Sequence, residues 1–300
     1  MSPKVFFITG TSTGFGYELV KKCIASGDKV VATARNSSKL SFPDTSKDNL
    51  FTVDLDVTKE ESIHKAFDAA IKHFGRLDVV VNNAGYGLSG EFESLSDKQI
   101  RTQMEVNFFG LINVTRAALE TMRSQKPSGG LIQQVTSIGG QRGVPCFTIY
   151  CASKWAVEGY TEALSHEVSR ETLHEKDNTD TSSQLKPEWN IHVQCVEPGG
   201  FRTDWAGRSM DFGENKNPAY DHIDAKDMMQ KRNGKQAGDP AKGAAAMYEL
   251  ATMQDPPLRC VIGSDAYTAI NTKLETYSKN VKRFEKLSNS TDAEGYQRPS

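Results

Sequence analysis

Tyr150 and Lys154 stand four residues apart in Tyr150-Cys151-Ala152-Ser153-Lys154, a spacing suited to acid–base chemistry. Positions i and i+4 of a helix lie on one face, about a turn apart. There a lysine ammonium stabilises the phenolate and lowers the tyrosine pKa from about 10 toward the working range. Tyr150 thereby becomes a proton donor or acceptor usable near neutral pH. A chain with nine tyrosines can carry such a pair by accident, so the neighbours decide. Upstream, Ser137 closes the apolar run 131–137, which reads as a strand. Ligands of open parallel sheets bind outside the carboxyl edge of the strands. A hydroxyl at that edge can hydrogen-bond a substrate carbonyl or alkoxide together with the tyrosine; without Tyr150, Ser137 would read as a helix cap or turn residue.

A second group opens the chain. Gly10-Thr11-Ser12-Thr13-Gly14-Phe15-Gly16 directly follows an apolar strand at 5–9. Its glycines let the backbone turn with no side chain blocking a pyrophosphate, and the following helix points unpaired N–H groups at that anion. The spacing is G-x-x-x-G-x-G rather than the commoner G-x-G-x-x-G. Asn82-Asn83-Ala84-Gly85 lies at another carboxyl edge, where Gly85 permits close backbone approach to a cofactor. Asn107 falls inside a helical pattern although asparagine is a mediocre helix former. An inward-facing amide there would hold water or a neighbouring carbonyl. The second strand ends in Ala34-Arg35 with no carboxylate to accept a ribose 2′-hydroxyl. Arg35 instead offers a planar fork suited to a 2′-phosphate, with Ser12 adding a hydroxyl, so the expected cofactor is NADP(H) in preference to NAD(H).

The elements that must position these residues follow from periodicity. Strand candidates at 5–9, 29–34, 50–54, 78–82, 131–137, 191–196 and 258–263 are nearly continuous in apolar residues, as strands buried on both faces should be. Helical patterns alternate with them, which predicts an α/β fold with a parallel sheet and helices on both faces. Leu19, Val20, Cys23 and Ile24 form one apolar stripe, and Ile63, Ala66, Phe67, Ala70 and Ile71 another. Thr58 and Glu61 read as a capping box opening the second helix. Long helices are expected at about 96–123 and 150–170, and a last helix at about 266–284. Two segments break the rhythm: a polar insertion at 171–188, and a mixed aromatic and charged stretch at 204–239 that reads as a flap over a pocket.

Taken in order, T-G-x-x-x-G-x-G, N-N-A-G, Asn107, Ser137, Tyr150 and Lys154 resemble the short-chain dehydrogenase/reductase family over roughly residues 4–263. The resemblance implies a Rossmann-type, doubly wound, seven-stranded parallel sheet, read here as a single domain over 1–300. It also implies a catalytic tetrad of Asn107, Ser137, Tyr150 and Lys154. In that family the tyrosine exchanges the proton, the serine orients the substrate oxygen, the lysine also binds the nicotinamide ribose, and the asparagine supports a water path. Pro198-Gly199-Gly200-Phe201-Arg202-Thr203 is similar to the turn whose threonine anchors the nicotinamide carboxamide, and Asp56-Val57 to the adenine contact. Expected cofactor contacts thus run through Gly10, Ser12, Thr13, Gly14, Phe15, Gly16, Arg35, Asp56, Val57, Asn83, Ala84, Gly85, Tyr150, Lys154, Pro198, Gly199, Phe201 and Thr203.

The implied activity is interconversion of a ketone or aldehyde and an alcohol by hydride transfer. Tyr86, Leu88, Cys146, Trp205, Met210 and Phe212 are candidates for a partly apolar substrate pocket. Rival readings are a non-catalytic nucleotide sensor on the same fold and a sugar-nucleotide epimerase or dehydratase. Sensors tend to lose the tyrosine or lysine that this chain keeps. Epimerases tend to carry T-G-x-x-G-x-x-G and a larger C-terminal domain.

Composition narrows the partners. A formal net charge of −2 offers no basic field for nucleic acid or an anionic membrane. No apolar run approaches the roughly 20 residues that span a bilayer. With the first strand beginning by Val5 there is no space for a signal peptide, and a cytoplasmic protein is expected. Five scattered cysteines read as reduced thiols, and six histidines without ligand spacing argue against a metal site. A homodimer or homotetramer is expected from the family, with the insertion at 171–188 placing that assembly in question.

Overall fold

In the computed structural model, seven parallel strands form one sheet in the order β3-β2-β1-β4-β6-β7-β9. They are β1 (Val5–Ile8), β2 (Lys29–Ala34), β3 (Leu50–Asp54), β4 (Val79–Asn82), β6 (Gly130–Val135), β7 (Ile191–Pro198) and β9 (Arg259–Ile262). Two further strands, β5 (Gly87–Ser89) and β8 (Met210–Phe212), pair parallel outside the sheet. The structure describes residues 2–168 and 189–296; the polar stretch read as an insertion at 171–188 lies outside the described residues.

Helices α1 (Gly14–Ala25) and α7 (Pro240–Thr252) cover one face, and α2 (Glu60–Phe74), α4 (Gly110–Ser124) and α5 (Thr148–Val168) the other. The remaining helices are α3 (Asp97–Met104), α6 (Ala225–Arg232), α8 (Ser264–Arg283) and α9 (Glu285–Asn289). Successive strand residues point to opposite faces, and both faces are apolar. Phe7, Val31, Val80 and Ile132 join the α2/α4/α5 core, while Phe6, Ile8, Val30 and Val81 join the α1/α7 core. In α2 the buried positions are Ile63, Ala66, Phe67 and Ala70, the expected stripe. The first three strands run outward to one side and β4 to the other, so the order switches between β1 and β4. A crevice opens at such a point, beyond the carboxyl ends.

Several local expectations shift. The α2 N-terminus is Lys59 rather than Thr58, with no side-chain cap, because the Thr58 hydroxyl donates to Asp56 Oδ1 at 2.7 Å instead. The helix expected at 96–123 is broken by a π turn at Glu105–Phe109 that contains Asn107. Strand β6 ends at Val135, so Ser137 lies just past it and caps the 3₁₀ turn Ile138–Gly140. The stretch at 204–239 carries β8, α6 and two 3₁₀ turns, Asp204–Ala206 and Pro218–Tyr220. None of the described helices is long and apolar enough to cross a membrane.

Candidate active site

The glycine loop is braced from below. Thr9 Oγ1 accepts from the backbone N–H of Asn83 at 3.0 Å and of Ala84 at 2.9 Å. The Asn83 amide donates to the carbonyls of Thr9 at 2.9 Å and Gly10 at 3.0 Å. Gly10 and Gly14 adopt φ of 70° and 59°, which glycine alone occupies without strain. A Cβ on Gly16 would fall 2.3 Å from the Gly10 carbonyl oxygen, so the first turn of α1 packs directly against the loop. Thr13 precedes α1 in extended conformation, and no side chain caps the helix. Its first N–H groups are left for an anion. Thr9 opens the T-G-x-x-x-G-x-G run but is absent from the expected cofactor contacts; its hydroxyl braces the loop from below instead.

At the end of β2, Arg35 is exposed on the cavity wall. Asp54, opposite Ala34 on the adjacent strand, accepts from the Ser37 N–H and hydroxyl, both at 2.7 Å. Asp56 accepts from Thr58, and although burial acts to raise its carboxyl, those bonds and the nearby Lys59 and Arg35 charges hold it below the usual range.

Across the crevice, α5 buries both Tyr150 and Lys154. Lys154 Nζ donates to the Val135 carbonyl at 2.9 Å and lies 5.9 Å from the Tyr150 ring centroid. The Ser137 hydroxyl is hydrogen-bonded to the phenol and accepts from Gly139 N–H at 3.0 Å. Asn107 is sequestered by the π turn: its Oδ1 accepts from Tyr86 N–H at 3.1 Å, and its amide donates to Tyr86 O at 3.0 Å and Ser153 Oγ at 3.4 Å. The Ser153 hydroxyl donates to Tyr150 O at 2.7 Å, so Asn107 connects to the α5 backbone at the tyrosine. A neighbouring carbonyl is thus the partner that the buried amide required.

Electrostatics depart from the sequence expectation. Burial pushes the Tyr150 phenol up to about 12, the Ser137 bond opposing only part of the rise. Lys154 is pushed down to about 8, again by burial, with Glu158 and Cys195 countering. Burial is the largest cause of the phenol's rise, and the Lys154 Nζ is turned to the Val135 carbonyl.

One cavity of about 980 Å³ joins the two ends. Every expected cofactor contact lines it except Gly16, which supports the loop from behind; Ser137, Tyr150 and Lys154 also line it, whereas Asn107 stands behind the wall. Of the expected substrate-pocket residues, Tyr86, Trp205 and Met210 line the cavity. Leu88, Cys146 and Phe212 do not: Leu88 and Cys146 are buried in packing, and Phe212 sits against the cluster behind Trp205. Val144, Phe147, Met229 and Arg232 line it without having been foreseen, since loop and flap residues meet it only through long-range folding. The Trp205 ring lies tilted 5.2 Å from Tyr150 and stacks 5.9 Å from Phe147, which places an apolar wall beside the phenol. Gly200 N–H donates to Asp265 Oδ2 at 2.8 Å, fixing the 198–203 turn to the start of α8.

Comparison with known proteins agrees with this geometry. The family model described as short chain dehydrogenase matches residues 4–174. An uncharacterized oxidoreductase of Schizosaccharomyces pombe is 35% identical over 284 residues, covering 94% of this chain and 90% of its own. The 3-ketodihydrosphingosine reductase of Bacteroides thetaiotaomicron is 34% identical over 268 residues, covering 88% and 89%. Among solved structures, a short-chain dehydrogenase from Streptomyces avermitilis superposes with a TM-score of 0.81 at 34% identity, covering 97% of this chain and 100% of its own. The chain belongs to the short-chain dehydrogenase family and is an oxidoreductase.

Proposed function

We propose that this oxidoreductase uses NADP(H) to interconvert a ketone or aldehyde and an alcohol, with Tyr150 as general acid/base. The observation that carries the reading is the single cavity shared by the uncapped start of α1 and the Tyr150–Ser137 pair. The cradle fits a dinucleotide: side chains are missing where a pyrophosphate would approach, and helix N–H groups face it. Gly10, Ser12, Thr13, Gly14 and Phe15 would hold the pyrophosphate, and Arg35 with Ser12 the 2′-phosphate. Asp56 and Val57 would take the adenine, Asn83, Ala84 and Gly85 the adjoining ribose, Tyr150 and Lys154 the nicotinamide ribose, and Pro198, Gly199, Phe201 and Thr203 the nicotinamide. When bound, NADPH supplies the hydride.

Tyr150 enters as a neutral phenol, because burial holds its proton on at neutral pH. As negative charge develops on the substrate oxygen, the phenol O–H breaks and the alcohol O–H forms. Ser137 orients that oxygen by hydrogen bonding, and the Lys154 charge stabilises the phenolate left behind. A protonated tyrosine is the form that carbonyl reduction requires. The wall of Val144, Phe147, Trp205, Met210 and Met229 suits a partly apolar carbonyl compound, and the Bacteroides relative is itself named for a keto reduction.

The test is a fluorescence titration with NADPH and NADH, repeated on Arg35→Asp. Loss of a charge-assisted contact is worth ~1.5–3 kcal/mol, so NADPH binding should weaken by about ten- to a hundredfold while NADH binding changes little. Equal losses for both nucleotides would refute the phosphate contact, and binding of neither by the unaltered protein would overturn the reading.

A further inference from the structure

Below the active site, one guanidinium gathers three carboxylates from two elements. Arg259 on β9 places its Nε 3.0 Å from Glu158 Oε2 and 3.8 Å from Glu197 Oε1, and its Nη2 2.7 Å from Glu162 Oε2. Glu158 and Glu162 lie on successive turns of α5, and Glu197 on β7. Glu158 and Glu197 side chains are 4% and 3% exposed, whereas Glu162 is half in water. Gln141 donates to Glu197 Oε1 at 2.9 Å. The Cys195 thiol and the Glu197 carboxyl both neighbour the Glu158 carboxylate, whose buried Oε1 has no partner at ordinary hydrogen-bond distance among the described residues.

Fully ionised, this cluster would bury more negative charge than Arg259 can balance, which the interior resists. Two features relieve it. A proton shared between Glu158 and Glu197 removes one charge and gives the orphaned Oε1 a partner. The second is a cation one helical turn from Glu158, and on α5 that cation is Lys154. Gly140 permits the approach, since a Cβ there would fall 3.0 Å from Glu158 Cγ and 3.1 Å from the Lys154 carbonyl oxygen.

We propose that the Glu158–Glu197 pair, clamped by Arg259 and Gln141, shares a proton and sets one negative charge beneath Lys154 that tunes the protonation of its amine. Glu158 is accordingly a positioning residue that acts through Lys154. The groups around the Lys154 amine are Tyr150 and Glu158 from α5, the Val135 carbonyl from β6, Cys195 from β7 and, beside Gly85, the Asn107 amide oxygen. Only Glu158 among them brings a carboxylate. Its charge opposes the burial that otherwise pushes the lysine down, and Glu197 in turn is raised to about 7 by burial and by Glu158.

This inference rests on the assignment of Lys154 to the reaction, and two measurements separate the two failures. In Glu158→Gln the basic limb of the kcat–pH profile should move to lower pH by about one unit, and Glu158→Asp should restore it. A Gln profile superimposable on the unaltered one overturns the tuning, provided Tyr150→Phe abolishes turnover; if it does not, the reaction assignment is what fails. Independently of activity, infrared titration of the unliganded protein should show a protonated-carboxyl band that vanishes as pH rises through about 7 and is absent in Glu197→Gln. Absence of that band in the unaltered protein overturns the shared proton even where Glu158→Gln does not fold.

Discussion

Tyr150→Phe removes one oxygen and leaves a ring, and the structure says which consequences follow and which do not. The ring is buried against Trp205 at 5.2 Å and Phe147 at 5.9 Å, contacts that phenylalanine keeps. Stability should therefore change by no more than ~1 kcal/mol, the net worth of the lost bond to Ser137. Lys154 is anchored on the Val135 carbonyl at 2.9 Å rather than on the phenol oxygen, so it stays in place. NADPH affinity should accordingly fall by no more than about fivefold, the ~1 kcal/mol net worth of the phenol's own ribose contact. Turnover has no such protection. The phenol is fully protonated at neutral pH, pushed up to about 12, and the remaining hydroxyl, Ser137, is a poor acid. Losing a positioned proton donor lowers the rate by ~10²–10⁴, or about 2.7–5.5 kcal/mol of barrier at 1.36 kcal/mol per decade. The assay is ketone-dependent NADPH oxidation followed at the nicotinamide absorbance, beside a fluorescence titration of the same variant. A variant retaining more than about a tenth of kcat would refute the proton-transfer reasoning, and parallel loss of binding and turnover would refute the claim that Lys154 is independently anchored.

Gly16→Ala inserts a Cβ 2.3 Å from the Gly10 oxygen and 2.6 Å from the Asn83 amide nitrogen, breaking the brace under the loop. Two lost hydrogen bonds and overpacking together amount to about 2–6 kcal/mol, and thermal unfolding without cofactor should fall by several degrees; a wild-type midpoint would show that the brace contributes nothing. The Glu197 carboxyl is raised from 4.5 to about 7 in the fold, so its protonated form is the stabilised one. Its contribution is complete below pH 4.5 and is lost as pH rises through about 7. Calorimetry at pH 6 and 8 should therefore show a larger fall in midpoint for the unaltered protein than for Glu197→Gln, and identical falls would contradict the sign.

The strands, the glycine loop and the serine–tyrosine–lysine order were legible because each is written in local spacing. A buried strand needs a run of apolar residues, an anion loop needs glycines before a helix, and Tyr150 and Lys154 meet because four residues make one turn. Asn107 was half legible: its poor helix propensity marked it, but only the fold shows a π turn aiming its amide at Tyr86 and Ser153.

What spacing cannot express is distance through space and exclusion of water. Leu88 and Phe212 look like pocket residues in the sequence, yet pairing of β5 with β8 leaves them off the cavity while Phe147 and Met229 reach it. The direction of the Tyr150 shift was unreadable for the same reason, since the pair's spacing encodes the lysine charge but not the desolvation that raises the phenol. Glu158, Glu197 and Arg259 lie far apart along the chain, and only the adjacency of α5, β7 and β9 makes one buried charge cluster of them. Motif and periodicity determined the sheet and the oxidoreductase family; tertiary packing decided which side chains are buried, and through burial the protonation of Tyr150, Lys154 and Glu197.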